Sequence, residues 1–318
     1  MIRVAILDDY QRVALEMADW SVLDGRAELV VFADRLVDED AVVDAIAGFD
    51  AVVAMRERTA FPESLLRRLP RLQLLVTTGM RNSVIDLAAA HDQGIAVCGT
   101  GSRATSTVEH TWALILGWSR HLVEEGGNMA AGRWQTTVGT GLAGRTLGII
   151  GLGRIGSAVA AVGSVFGMQV LAWSQNLTAE GAAAAGAELA GLPDLLAASD
   201  VVTVHQVLSD RTRDLIGAAE LASMRSTALL VNTSRGPIVS TDALVSAVRD
   251  GVIAGAAVDV YDTEPLPEDH PLRTTAGILA TPHLGYVTRD GYQLFYGDAV
   301  EDVAAFLDGT PVRQIQTK

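Results

Sequence analysis

Short runs of aliphatic and β-branched residues, at positions 4–7, 29–32, 51–54 and 72–77, alternate with longer stretches whose apolar residues recur at helical spacing. These runs are apolar almost throughout rather than at every second residue, so strands built from them must be buried on both faces. A parallel sheet covered on both sides by its crossover helices meets that demand, and the alternation itself spells βαβ units. A second series begins after the helical stretch 106–122 and continues at 146–150, 169–172, 201–204, 229–231 and 254–258. A chain of 318 residues exceeds the roughly 250–300 at which a single core stops growing. Two doubly wound, parallel-sheet α/β domains are therefore predicted. The small-residue cluster Gly99-Thr100-Gly101-Ser102 fits a hinge between them, with a cleft there. The segment 289–307 has helical periodicity with no strand after it and is expected to return to the first domain. The predicted domains are residues 1–99 with 286–318, and residues 100–285. The Ala-rich stretch 179–190 reads as an ordinary helix and turn.

Composition narrows the partners. Hydrophobic residues make up 49% of the chain and charged residues 19%, enough apolar material for packed cores. The net charge of −14 opposes nucleic acid and anionic membrane surfaces, which leaves small molecules as the expected partners. No apolar run approaches the ~20 residues of a membrane span. The N-terminus enters a strand-like run without a cleavable leader pattern, so a cytoplasmic location is expected. The single cysteine, Cys98, follows a strand at 95–97 and reads as a small buried hydrophobe. Ligand clusters at zinc spacing are missing, and no metal is expected. An acidic protein that binds an anion must gather its arginines at the site, which makes each well-placed arginine informative.

Gly151-Leu152-Gly153-Arg154-Ile155-Gly156 matches the dinucleotide fingerprint and follows the apolar strand at 147–150 and opens a helix at 155–166. Free backbone N–H groups and the helix dipole favour a pyrophosphate there, and Arg154 adds a positive charge. The acidic residue expected roughly 20 positions on, which would bind the ribose hydroxyls of NAD, is replaced by Ser174. Both NAD and NADP stay open, with NAD favoured.

Three polar residues follow strands of the second series: Arg235, Glu264 and His283. An arginine at a strand end can grip a carboxylate with two parallel hydrogen bonds. A carboxylate bonded to an imidazole orients it and favours its protonated form, which suits a proton donor to a carbonyl oxygen. Taken with Val231-Asn232-Thr233-Ser234-Arg235-Gly236, Ala257-Val258-Asp259-Val260 leading to Glu264-Pro265, and Thr281-Pro282-His283, the glycine motif makes the chain resemble the D-isomer-specific 2-hydroxyacid dehydrogenase family over nearly its whole length. The resemblance implies a flavodoxin-like substrate domain beside a Rossmann NAD(P)-binding domain, and hydride transfer between a nicotinamide and a small D-2-hydroxy or 2-keto acid. It implies that Arg235 binds the substrate carboxylate and keto oxygen, that His283 is the acid–base supported by Glu264, and that Asp259 lies near the nicotinamide, with Thr233 also at the cofactor. It further implies a homodimer built through the helix at 106–122. Where the family's substrate loop reads Gly-x-Gly-x-Asp-Asn-Ile-Asp, this chain has Gly79-Met80-Arg81-Asn82-Ser83-Val84-Ile85-Asp86, so Arg81 replaces a glycine and is a candidate for the distal end of the substrate. Tyr286 stands where the family often has a small residue.

Other residues carry plainer expectations. His91, His110, His121 and His270 read as structural or surface histidines without a matching partner, whereas His205, at the end of the run 201–204, fits either a cofactor contact or a structural hydrogen bond. Arg56 and Arg58 read as part of a solvated Arg-Glu-Arg run. Two other functions are compatible with the pattern: a dinucleotide-sensing regulatory protein, and phosphite or formate oxidation. Formate enzymes of this fold pair the histidine with glutamine, so Glu264 argues against the latter.

Overall fold

The computed structural model describes residues 1–316. The chain divides into two compact units, Met1–Arg103 with Val287–Lys318, and Ala104–Tyr286.

In the first unit, strands β1 (Ile2–Ile6), β2 (Ala27–Val31), β3 (Ala51–Ala54), β4 (Leu74–Thr77) and β5 (Ala96–Gly99) form a parallel sheet in the order β2-β1-β3-β4-β5. This is the flavodoxin-like strand order. Every residue of β3 and β4 is buried, as their unbroken apolar runs require. Helices α1 (Glu39–Ile46) and α3 (Leu87–Asp92) each start on an aspartate, Asp38 and Asp86, whose carboxylate accepts from a first-turn N–H. A single turn, α2 (Glu63–Leu66), lies between them.

The helix expected at 289–307 forms over those residues and belongs to this unit. It buries Tyr292, Phe295, Tyr296, Ala299, Val300 and Val303, a stripe at helical spacing. Beyond it, Arg313 reaches Glu301 at 2.9 Å and the fully buried Asp302 at 3.1 Å. Burial pushes the Asp302 carboxyl up to about 7, against the pull of Arg313. The chain then joins the sheet edge, where Ile315 N–H donates to Val97 O and Gly99 N–H to Arg313 O. Thr100 N–H bonds Thr77 O, and Gly101 N–H donates to Asp298 at 2.7 Å, so the small-residue cluster is tied to the first unit.

The second unit starts with α4 (Ala104–Ser119) and α5 (Leu122–Ala130), followed by β6 (Thr146–Ile150), α6 (Arg154–Val165), β7 (Gln169–Trp173), α7 (Ala179–Ala184), β8 (Glu188–Leu189), α8 (Leu192–Ala198), β9 (Val201–Val204), α9 (Ala218–Ser223), β10 (Leu229–Asn232), α10 (Thr241–Arg249), β11 (Gly255–Val258) and β12 (Ile278–Ala280). Its seven parallel strands run β12-β11-β10-β9-β6-β7-β8. The order reverses between β6 and β9, the crevice where doubly wound sheets bind ligands.

Two details differ from the sequence reading. The helix expected at 106–122 begins at Ala104 and ends at Ser119, because His121 takes a left-handed backbone conformation (φ 51°) and the chain restarts as α5. Strands β8 and β12 were not expected: they have two and three residues and lie at the two edges of the sheet, too short to leave a periodic pattern. Among the described residues no helix is long and apolar enough to cross a membrane.

Candidate active site

At the crevice between β6 and β9, the loop after β6 is shaped by its glycines. Gly151 has φ +103°, and a Cβ there would lie 2.6 Å from the carbonyl oxygen of His205, so only glycine lets the two loops touch. At Gly156 a Cβ would collide with the carbonyl oxygen of Gly151, and its absence allows α6 to start tight against the turn. Gly153 is different: nothing lies within 4 Å of where its Cβ would be. It caps α6 without a side-chain hydrogen bond, which leaves the first N–H groups of the helix without a side-chain cap. A diphosphate fits such a cradle, because the N–H groups and the helix dipole supply its counter-charge and the missing Cβ supplies room. Arg154 is exposed and Ile155 half-buried on the first turn of α6.

Ser174, directly after β7, accepts a hydrogen bond from Leu152 N–H at 2.9 Å, so its hydroxyl braces the glycine loop. His205 Nε2 is 3.0 Å from Thr203 Oγ1, and burial pushes the imidazole down to about 4, which keeps it neutral. Its ring bonds Thr203 of the strand it follows, and its backbone carbonyl lies against Gly151.

Three adjacent strands, β10, β11 and β12, deliver the polar residues to one edge of the sheet. Arg235 follows β10, and its Nη1 donates to Ser234 O at 2.8 Å. The next residue must be glycine, since a Cβ at Gly236 would run into the Tyr261 carbonyl carbon and oxygen in the loop after β11. In that loop Glu264 Oε1 accepts from Tyr261 N–H at 3.0 Å, while Oε2 lies 2.6 Å from His283 Nδ1 in the loop after β12. The carboxylate is thus held from one side by the backbone and holds the imidazole with the other. His283 keeps 22% of its side chain exposed, enough to reach a ligand, and the Tyr286 ring packs edge-on against it at 5.1 Å between centroids. His283 has φ 52°, a left-handed conformation that persists only where the surroundings hold it.

Asp259 supplies that hold. Its side chain is buried, and its oxygens accept from Thr281 Oγ1 (2.6 Å), Leu284 N–H (2.7 Å) and Gly285 N–H (2.8 Å). His110, expected to have no partner, has two: its Nε2 stands 3.1 Å from Asp259 Oδ1 and 3.1 Å from Thr281 Oγ1. The sequence reading missed this because α4 and the loop it serves are 171 residues apart. On the same face of α4, Thr107 Oγ1 donates to Gly285 O, and Thr111 Oγ1 lies 2.9 Å from Thr233 Oγ1. Thr233 is therefore tied to α4. Of the remaining histidines, His270 Nδ1 accepts from Leu272 N–H, His121 lies 4.0 Å from Glu124, and His91 lies 3.7 Å from Asp92.

Gly79, Met80 and Arg81 follow β4 of the first unit. Gly79 is buried with φ +96°, and Met80 and Arg81 are exposed. Arg81 makes no ion pair among the described residues. Arg56 and Arg58, expected to be solvated, are half-buried and engaged. The Arg56 guanidinium lies so close over Gly79 that a Cβ there would overlap Nη1; it also donates to Thr78 O, and Arg56 Nε is 3.7 Å from Glu57. Arg58 donates to Asp8 O at 2.6 Å and stacks over Tyr10 at 4.4 Å. The reason is the left-handed turn at Arg56 (φ 53°), which folds the run back over the sheet edge. Among the described residues no group of three or more His, Cys, Asp or Glu side chains could hold a metal ion.

Residues 112–285 match the family model described as D-isomer specific 2-hydroxyacid dehydrogenase, NAD binding domain. The chain belongs to that family. Its relatives include the glyoxylate reductase of Aeropyrum pernix, 41% identical over 255 residues, with 77% of this chain and 76% of the relative covered. The D-3-phosphoglycerate dehydrogenase of Synechocystis is 33% identical over 87% of this chain, which spans about half (50%) of that longer protein. Among solved structures, a phosphoglycerate oxidoreductase from Vibrio cholerae superposes with a TM-score of 0.93 at 37% identity, over 98% of this chain and 100% of the other. As a member, this dehydrogenase is an NAD-dependent oxidoreductase of the 2-hydroxyacid dehydrogenase and glyoxylate reductase type. The α6 cradle agrees with the NAD-binding assignment.

Proposed function

We propose that this dehydrogenase reduces short 2-keto acids of the glyoxylate and hydroxypyruvate class to the corresponding 2-hydroxy acid, the D isomer wherever C2 becomes a stereocentre, with Arg235, Glu264 and His283 as its catalytic residues. The observation that carries the reading is the 2.6 Å bond between Glu264 and His283 Nδ1, in which Nδ1–H donates to the carboxylate and Nε2 is left as the edge of the ring that takes up and gives back a proton. Arg235, one strand further along, binds the carboxylate and keto oxygen of the substrate. When bound, the nicotinamide supplies the hydride that adds to the keto carbon. As negative charge grows on the keto oxygen, His283 Nε2 delivers a proton to it, and Glu264 stabilises the imidazolium that precedes this transfer. In the oxidative direction His283 removes the hydroxyl proton.

Gly151, Gly153, Arg154, Ile155 and Gly156 hold the diphosphate in this proposal, with Ser174, His205, Thr233 and Asp259 framing the rest of the cofactor. Ser174 carries no charge to repel a 2′-phosphate, so NADPH is admitted although NADH is preferred. Gly79 and Met80 offer backbone N–H groups to the substrate carboxylate, and Arg81 recognises the distal end of longer acids. The choice of short acids is supported by the glyoxylate reductase that matches over three-quarters of both chains. A homodimer through the second unit belongs to the proposal as well. Leu122, Val123, Met129, Trp134 and Val138 each expose their apolar side chains on and just after α5, surface that a second copy would remove from water. A cytoplasmic location goes with this reading, since reduced nicotinamide is supplied there.

The test is the absorbance of NADH or NADPH consumed with a panel of 2-keto acids, in the wild type and in His283→Ala. Loss of the acid should lower kcat by roughly 10²–10⁴-fold and leave the Kd for NADH unchanged. Wild-type turnover by His283→Ala on the best acid would rule out this mechanism.

A further inference from the structure

We propose that His110 is a positioning residue for the His283 loop, acting through Asp259. The inference rests on the reading of His283 as the acid–base and adds a residue to it. Asp259 is 1% exposed, a carboxylate removed from water whose charge has to be met by protein donors. Two of these donors, Leu284 N–H and Gly285 N–H, belong to the two residues that follow His283. The carboxylate therefore pins the backbone immediately after a histidine held in a left-handed conformation.

His110 approaches the same carboxylate from α4. Thr281 Oγ1 spends its single hydrogen on Asp259 Oδ1 at 2.6 Å, so towards His110 both Thr281 Oγ1 and Asp259 Oδ1 are acceptors. His110 must carry its proton on Nε2 and share it between them. The ring is 16% exposed, which limits the water available to replace it. Without that N–H, Asp259 keeps its charge with one donor fewer. The loop it clamps loosens, and the negative potential around His283 rises. The groups that meet His110 are Asp259 and Thr281; those that meet His283 are Glu264 and Tyr286.

The experiment uses the full-length protein and NADH-dependent reduction of glyoxylate, followed as a function of pH, with the Kd for NADH read from nucleotide fluorescence. His110→Ala should lower kcat about ten- to a hundredfold with KM and the Kd for NADH little changed. The alkaline limb of its kcat/KM profile should move to higher pH, because a less compensated Asp259 favours the protonated imidazole of His283. In His110→Gln the side-chain amide reaches the place of Nε2 and can donate to the same acceptors, so turnover should stay within about threefold of wild type. His110→Asn reaches only the place of Nδ1 and should behave like His110→Ala. If His110→Ala does not fold, the contrast between Gln and Asn decides. The proposal is overturned if His110→Asn turns over like the wild type. It is equally overturned if Gln and Asn lose activity alike while the pH profile stays where it was, which is the mark of a purely structural residue. His283→Ala run in parallel separates the two readings: an active His283→Ala removes the acid–base assignment itself, whereas a dead His283→Ala beside unaffected His110 variants removes only the role of His110.

Discussion

Replacing two glycines of one loop, only six positions from end to end, by alanine should have opposite consequences. At Gly156 the new Cβ would lie less than 3.0 Å from the carbonyl oxygen of Gly151, and neither group sits on a flexible side chain that could swing away. An alanine inside a helix normally stabilises it by about 1 kcal/mol relative to glycine, but a methyl group forced this close to rigid backbone costs about 2–3 kcal/mol, the upper part of the usual overpacking range. The net effect is a loss of about 1–2 kcal/mol, which lowers Tm by roughly 2–8 °C in a domain of this size. At Gly153 the backbone is extended (φ −88°, ψ −161°) and the Cβ would meet nothing within 4 Å, so Gly153→Ala should leave Tm nearly unchanged, the poorer N-cap offsetting the entropy removed from the unfolded chain. Its methyl group would instead occupy the open face of the α6 cradle and raise the Kd for NADH by about ten- to a hundredfold, the equivalent of one or two lost charge-assisted hydrogen bonds. Thermal unfolding of the cofactor-free protein and fluorescence titration with NADH read the two effects separately. Tight NADH binding by Gly153→Ala would show that the diphosphate does not lie at the start of α6, and an unchanged Tm in Gly156→Ala would refute the close approach of the loop to the helix.

Three further outcomes follow from side chains already described. Glu264→Gln should shift the reductive pH profile of kcat downward, because an amide no longer stabilises the imidazolium of His283; a profile that keeps its midpoint would detach Glu264 from the acid–base step. Ser174→Asp should weaken NADPH use far more than NADH use in initial-rate assays, since a carboxylate repels a 2′-phosphate and accepts from ribose hydroxyls; equal effects on both would place Ser174 away from the ribose. Asp302 binds its proton more tightly in the folded protein, where its carboxyl is raised from 3.8 to about 7, than in the unfolded chain. Its contribution to stability is therefore present in full below the unfolded value and is lost as pH rises towards 7, with a slope of at most about 1.4 kcal/mol per pH unit. Asp302→Asn should flatten the fall of Tm between pH 5 and pH 7, roughly the window of that titration; an equally steep fall in the variant would assign the pH dependence to other groups.

The architecture was legible because parallel strands buried on both faces cannot hide in a sequence: the runs at 51–54, 146–150 and 201–204 are strands over those same residues. Glycine positions were legible for a similar reason, since a residue that must lack a Cβ leaves no alternative at that position. What stayed hidden depends on contacts between distant parts of the chain. His110 looks like any helical histidine until the loop 171 residues later is folded against it. Arg56 and Arg58 looked solvated because nothing local announces the left-handed turn that lays one guanidinium on Gly79 and the other on Tyr10. The edge strands β8 and β12 are recruited by their neighbours' unpaired backbone groups rather than by their own residues.

The first unit is sewn from two segments that flank the second in sequence, and this sets an order of events during synthesis. Residues 104–286 are contiguous and have their whole core once they leave the ribosome. The sheet of the first unit emerges earlier but waits for Tyr292, Phe295, Tyr296 and Val303 of the last helix to cover it, and for residues 313–315 to pair with the edge strand β5. At about 5–20 residues per second, the nascent first unit stays unfinished for many seconds with part of its apolar surface bare, and that interval is when a chaperone has most to protect.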